Sequence, residues 1–241
     1  MRNAVYIPSL ILVLLAGMLA GQRAQAQRVI VSEDMRQEDK SAPVFGMNRK
    51  HFRHSYAGIH FLAGQPDAQG ADIRYGKSWS FEYGMRYKRR FGEVYSAGTD
   101  IFARRMAIRP EQKEGKLIPG PTIYDDEKLV YFQLGAGLYQ RFNFGQRGNY
   151  IGRFLDTGGY LAWNAHVRHV YFFEQGDEQF RVKRTGMNFP ALFEYGILAR
   201  VGLNNLVIRA SYRLSDAFSS SEDMPEIPRF LVGLEFGMHP R

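Results

Sequence analysis

The chain has 241 residues, room for one domain of ordinary size, and no cysteine, which excludes disulfides, thiolate metal sites, thiol nucleophiles and a lipid anchor on cysteine. A mean hydropathy of −0.34 excludes a polytopic helical membrane protein, which needs repeated apolar runs of about 20 residues. The net charge of +8 permits a nucleic-acid partner, but none is expected, because the basic residues are spread through alternating patterns rather than gathered on one helix.

The one long apolar run opens the chain. Arg2 is followed by Leu10–Ala20 and then by Ala24-Gln25-Ala26, the layout of a secretory signal peptide over residues 1–26 with cleavage before Gln27. Residues 27–53 are polar and irregular (Ser32, Glu33, Asp34, Arg36, Glu38, Asp39) and are expected to form a poorly ordered periplasmic lead-in. Export and the lack of disulfides together require that stability come from a large fold or a membrane.

From residue 54 to 241 the dominant period is two, the signature of strands. Ser55–Gly64 and Val94–Met106 carry it weakly. In Ser78–Lys88, Trp79, Phe81, Tyr83, Met85 and Tyr87 oppose Ser80, Glu82, Gly84, Arg86 and Lys88. Leu129–Phe144 sets Phe132 and Leu134 against Gln133 and Arg141. Phe154–Phe173 sets Trp163, Val167, Tyr171 and Phe173 against Asp156, His166 and Arg168, leaving His169 on the apolar face. Phe189–Leu203 opposes Phe193 and Ile197 to Glu194 and Arg200; Leu206–Leu214 opposes Ile208 to Arg209 and Arg213; Phe230–Met238 opposes Leu234 and Phe236 to Glu235. These are about eight strands, near the 9–11 residues that a tilted strand needs to cross a bilayer. Long polar connections (residues 65–77, 107–127, 175–188 and 215–228) alternate with short ones, of which Asn204-Asn205 is a natural two-residue turn.

Alternation alone fits a soluble barrel or a membrane barrel, which differ in which face looks out. Glycine placement favours the membrane: Gly58, Gly84, Gly98, Gly135, Gly137, Gly196, Gly233 and Gly237 share the polar face, Gly159 excepted. Glycine weakens a water-facing strand but makes room inside a narrow barrel. The polar face also mixes signs, Glu82, Asp100, Asp156, Glu194 and Glu235 with Arg86, Arg104, Arg141, Arg168, Arg200, Arg209 and Arg213, as an enclosed ion-paired network requires. Trp79, Phe81, Phe132, Leu134, Trp163, Phe193, Ile197, Ile208, Leu234 and Phe236 are then lipid-facing. Aromatic residues near strand ends, Tyr171 and Phe173 among them, suit interfacial girdles. The final long loop is acidic (Asp216, Glu222, Asp223, Glu226), whereas Arg49, Arg53, Arg89 and Arg90 crowd the short-turn end. This arrangement puts the short turns at the anionic inner-leaflet headgroups. The expected fold is all-β, a closed antiparallel up-and-down transmembrane β-barrel of about eight strands with short periplasmic turns and long, mobile outer loops.

Over Ser55–Met238 this pattern resembles the small outer-membrane β-barrels of the OmpA/OmpX-like type, PorT-like barrels among them. The resemblance rests on the strand pattern, the alternation of short and long links, and the last strand Phe230-Leu231-Val232-Gly233-Leu234-Glu235-Phe236. It implies residence in the outer membrane of a Gram-negative-type cell envelope. The implied partners are outer-membrane lipids and lipopolysaccharide, the barrel-insertion machinery, and envelope or secretion-complex proteins. In that family an aromatic-ended final strand is read by the insertion machinery; here Gly237–Arg241 follows Phe236, a departure from the terminal aromatic.

Catalysis needs a nucleophile or activated water beside a base and an orienting acid, and no such constellation is evident. No cofactor and no metal site is expected, since no His or carboxylate cluster has ligand spacing and the glycines form no phosphate loop. The function expected is a non-enzymatic structural, adhesion or accessory secretion and transport role. The alternatives are a lipid A-modifying enzyme, a deacylase or acyltransferase, built around His169, and a soluble periplasmic ligand-binding β-barrel.

Overall fold

A computed structural model of the chain describes residues 45–145, 148, 150–219 and 224–238. The expected signal peptide, residues 27–44 of the lead-in, and Glu222 and Asp223 lie outside the described residues. Among the described residues there are nine strands: β1 His51–Ala63, β2 Trp79–Arg90, β3 Tyr95–Ile108, β4 Asp126–Phe144, β5 Arg153–Gln175, β6 Glu178–Thr185, β7 Phe193–Leu203, β8 Leu206–Arg213 and β9 Phe230–Met238. All pairings between strands are antiparallel, and eight strands form a ring in the order β1-β2-β3-β4-β5-β7-β8-β9, with β9 returning to β1. The ninth, β6, pairs with β5 alone and extends it as a hairpin.

Two elements differ from expectation. β1 begins at His51, so the end of the expected lead-in is strand; Arg90 donates to the Asn48 carbonyl at 2.6 Å and its N–H to the Lys50 carbonyl at 2.8 Å, tying this entry to β2. β6 falls inside a segment read as a loop. Its residues, Glu178-Gln179-Phe180-Arg181-Val182-Lys183-Arg184-Thr185, are nearly all exposed, so burial imprints no alternation of apolar and polar residues on them.

The alternation is inverted relative to a water-soluble sheet. Along β2, Ser80, Glu82, Gly84, Arg86 and Lys88 are buried, while Phe81, Tyr83 and Met85 are exposed. Phe81 is 43% and Ile197 53% exposed, against 1% for Arg86, Arg141 and Arg200. Lys88, which the sequence places beside the basic short-turn end, points inward, donating to the Met47 carbonyl at 2.8 Å over the Phe52 ring.

The inward-facing glycines explain how bulky interior side chains fit. Gly98 lies in register opposite Tyr139, and Gly135 opposite Phe102. A methyl group on either would overlap the facing ring. Gly84 opposite Tyr56 and Gly202 opposite Phe154 repeat the device, an aromatic ring covering the glycine of its cross-strand partner. Asn204, with φ of 52°, supplies the positive φ of the two-residue β7–β8 turn.

The long connections are not free coils. Ala71 and Ile73, Ile118, and Ala217, Phe218 and Ile227 come from three of them and pack with Leu62, Met106, Ile108, Leu129 and Tyr131 of the strands in one apolar cluster. Isolated bridges Ile73–Pro110 and Pro190–Phe218 tie loop to loop. Hydrophobic burial folds these segments over the long-loop end of the ring. Phe52, Ile151, Phe154 and Val207 form a smaller cluster towards the other end.

Candidate functional site

Between those apolar clusters lies a continuous ion network. Glu82 on β2 accepts from Arg104 Nε at 2.8 Å, from Arg209 Nη1 at 2.5 Å and from the Tyr56 hydroxyl at 2.8 Å. Arg209 also reaches Glu235 at 3.1 Å, to which Arg86 donates at 2.9 Å. Arg200 donates to Asp100 and lies 3.9 Å from Asp156. Asp156 is held by a bidentate fork from Arg141 at 2.6 and 2.8 Å. Glu194 accepts from Arg104 at 3.2 Å, from Gln133 at 2.9 Å and from the Tyr160 hydroxyl at 3.1 Å.

Some of these contacts join adjacent strands, as Glu82 faces Arg104 and Asp156 faces Arg200 in register. Others span strands that do not touch: Arg104 on β3 to Glu194 on β7, Arg200 on β7 to Asp100 on β3, and Arg209 on β8 to Glu82 on β2. Such links place the network across the inside of the ring. Glu82, Asp100, Asp156, Glu194 and Glu235 balance Arg86, Arg104, Arg141, Arg200 and Arg209 in formal charge, and all are buried. Balance and dense hydrogen bonding are the conditions under which buried ions are tolerated.

Arg213 is buried too, but pairs upward with loop carboxylate Glu226 at 3.0 Å. Partial burial of Arg229 opposes its charge, yet its hydrogen bonds to Asp216 and Asp67 raise its pKa above the ordinary value and pin two of the capping segments together.

The placements of His166, Val167, Arg168, His169 and Tyr171 are corrected by one irregularity. Phe132 faces His166 but Gln133 faces Asn164, so Ala165 is an extra residue in β5. This β-bulge reverses the inward and outward sense of everything beyond it. Arg168, expected in the interior network, is exposed on the outer wall beside His166. His169, expected on the apolar face, is buried, with Nε2 at 2.6 Å from Glu127 Oε1. Glu127 Oε2 accepts from Lys116 Nζ at 2.5 Å. Tyr171, expected at an outer girdle, turns inward against Tyr124, ring centroids 4.3 Å apart. Single-residue periodicity could not reveal the bulge, because both parities of the segment hold aromatic residues.

Of the residues expected on the outer wall, Phe81, Phe132, Leu134, Trp163, Phe193, Ile197, Ile208, Leu234 and Phe236 are exposed, and Trp79 is half-buried. A shallow apolar crease of about 520 Å³ on this wall is lined by Ile59, Phe61, Phe81, Leu206, Leu234 and Phe236.

One constellation escaped sequence reading. Ser80 Oγ lies 3.4 Å from His60 Nδ1, and His60 Nε2 lies 3.7 Å from Glu235. The order hydroxyl, imidazole, carboxylate is that of a hydrolytic triad. Ser80 and His60 are both sealed inside the ring, however, and a substrate carbonyl has no approach to Oγ in this arrangement.

No protein-family model and no curated protein matches the chain. Among solved structures, the chain is similar to Ail, the attachment invasion locus protein of Yersinia pestis, solved in complex with the heparin analogue sucrose octasulfate. The identity is 14% and the TM-score 0.35, with 77% of this chain and 97% of that chain covered.

Proposed function

We propose that the ring of eight closes as a β-barrel spanning the outer membrane of a Gram-negative-type envelope, and that the chain serves there as a non-enzymatic structural, adhesion or accessory transport component. The inverted burial carries this reading: a belt of exposed apolar side chains surrounds a sealed ion network. Soluble monomers rarely leave contiguous apolar patches beyond a few hundred Å² in water. Here Ile59, Met85, Ile101, Leu138, Leu161, Ile197, Ile208 and Leu234 expose apolar surface on all eight strands of the ring. The eleven residues of β7, at about 3.3 Å each and a tilt of roughly 40°, rise about 28 Å, enough to cover the lipid-facing band of about 25 Å of such barrels. Phe91, Tyr95 and Phe144 at the short-turn end and Trp163, Phe193 and Phe230 nearer the long loops fit girdles at the two interfaces.

Two alternatives are weaker. A soluble ligand-carrying barrel requires the opposite sense of burial. A lipid A-modifying enzyme would need His169 open to acyl chains, whereas it lies against Glu127 inside the ring. The decisive experiment is fractionation of cells producing the full chain. The protein is expected with outer membranes and resistant to alkaline carbonate extraction; recovery in the soluble periplasmic extract overturns the reading. Mass analysis of lipid A from cells carrying the wild-type chain, the H169A variant or neither is expected to give one profile. A modification that depends on His169 would replace the non-enzymatic role with the enzymatic one.

A further inference from the structure

The bulge at Ala165 does more than relocate Arg168. Directly opposed residues in antiparallel strands share a face, so the outer wall above the bulge can be laid out as rows. The last wholly apolar row runs Ala103, Leu134, Trp163, Phe193 across β3, β4, β5 and β7. One step nearer the long loops the row is Arg105, Phe132, His166; the next is Val130, Arg168, Thr185; the next is Lys128, Val170, Lys183; and the last is Asp126, Phe172, Arg181. Four of the cations, Arg105, Lys128, Arg168 and Arg181, line a depression of about 330 Å³ floored by Val130, Phe132 and Val170.

These charges have only weak internal contacts, Arg168 with the His166 ring at 3.4 Å and Arg181 over the Phe172 ring at 5.3 Å. The wall's nearest carboxylate, Asp126, is occupied by Arg109 at 2.5 Å and by Arg74 at 3.2 Å. Among the described residues no ion pair engages Arg105, Lys128, Arg168 or Lys183. Without the extra residue, Arg168 and His166 would point inward, and β6, which contributes Arg181 and Lys183, is tied to the ring only through the same stretch of β5. Both the bulge and the added hairpin therefore put positive charge on one wall, at the upper edge of the apolar belt. Like charges gathered beside an apolar floor suit a ligand that is anionic at one end and hydrocarbon at the other.

We infer that this wall is a binding site for the phosphate of an anionic outer-leaflet lipid, with the acyl chains lying down the Leu134–Trp163–Phe193 surface. The inference rests on the membrane-spanning orientation proposed above. Arg105 and Arg168 flank the phosphate from β3 and β5, Lys128 sits between them, and the hairpin closes the far side with Arg181 and Lys183. Arginine forks match phosphate oxygens bidentately, which a purely diffuse basic surface does not require.

Trp163 lies one row below His166, about 7 Å along the strand, and serves as the reporter; W79F makes it the sole tryptophan. The full chain would be folded into phosphatidylcholine vesicles at physiological salt. Part of the lipid would carry brominated acyl chains, either as phosphatidylcholine or as phosphatidic acid, since bromine quenches a neighbouring indole. Brominated phosphatidic acid is expected to associate at Trp163 about fivefold or more tightly than brominated phosphatidylcholine, the effect of one near-surface cation or better. The Arg105→Gln/Arg168→Gln variant should bring that ratio to about one. The Arg53→Gln/Arg89→Gln variant, altered at the short-turn end, should keep it.

A wild-type ratio near one, or a preference that survives in the Arg105/Arg168 variant, overturns the lipid site while leaving the barrel in its membrane. Loss of the preference on adding millimolar inorganic phosphate assigns the wall to a free anion instead and also overturns it. Absence of quenching by either lipid shows that Trp163 does not meet acyl chains, and then the membrane reading fails and takes the site with it.

Discussion

Arg141 and Asp156 face each other in register and form the most complete fork of the interior network. Each is buried, and the nearest other cation to Asp156 is Arg200 at 3.9 Å. Breaking a buried pair by removing one member costs about 3–5 kcal/mol, because the survivor is left charged without compensation, whereas replacing both by apolar groups is often neutral. R141M should therefore lower unfolding stability by about 3–5 kcal/mol, and the Arg141→Met/Asp156→Leu double variant should regain most of that loss. Urea titration of the protein folded in micelles, followed by tryptophan fluorescence, measures both. A single variant within about 1 kcal/mol of wild type would mean that water or a neighbouring side chain already solvates the pair. The same logic explains why each of the five interior carboxylates has an arginine within reach: in a closed interior an unpaired ion costs more than the pair returns.

The bulge and the hairpin belong to the scale of single elements, and they mark where the sequence stopped being readable. β2 was legible because its two faces hold disjoint residue types, with Phe81, Tyr83 and Met85 outside and Glu82, Gly84 and Arg86 inside. β5 was legible only as far as the bulge at Ala165. Beyond it Val167, His169 and Tyr171 lie inside under the loop cap, while His166, Arg168 and Val170 belong to the other face. The cap draws Leu129, Tyr131 and Val167 into the interior at this level, beside the buried Glu127 and His169, so hydrophobicity no longer labels the outer face. β6 was invisible because neither of its faces is buried. The apolar cap itself was missed because Ile73, Ile118 and Phe218 are isolated in otherwise polar segments, and only the fold brings them together. The bulge makes a sharp prediction that the cysteine-free chain allows to be tested one residue at a time. R168C should react with a water-soluble maleimide in folded protein, and H169C should react at least about tenfold more slowly, as it opens only with the structure around it. The reverse order would restore uninterrupted alternation and return Arg168 to the interior.

Across the whole molecule the ring encloses three layers: the apolar cluster around Phe52 and Phe154 towards the short-turn end, the ion network, and the loop cap around Ile108 and Ile118. In the proposed barrel, eight strands leave an interior just wide enough for side chains to fill, and the aromatic rings of Tyr56, Tyr139, Phe102 and Tyr160 occupy the space released by facing glycines. The arginines span the remaining width, so moving an ion along the axis would require breaking several charge-assisted bonds at once, each stronger than a neutral hydrogen bond. The reconstituted wild-type chain should therefore show no long-lived conductance steps in planar bilayers. Opening the ion layer alone should not change this. In the Glu82→Gln/Arg209→Gln variant the two hydrocarbon-lined layers still block the path, and dry apolar constrictions stop ions by excluding water. Steady steps in the wild type would mean that all three layers part together, and the ion network would then be a gate rather than a brace. Steps confined to the variant would mean that the ion layer is the sole barrier and that the loop cap admits water.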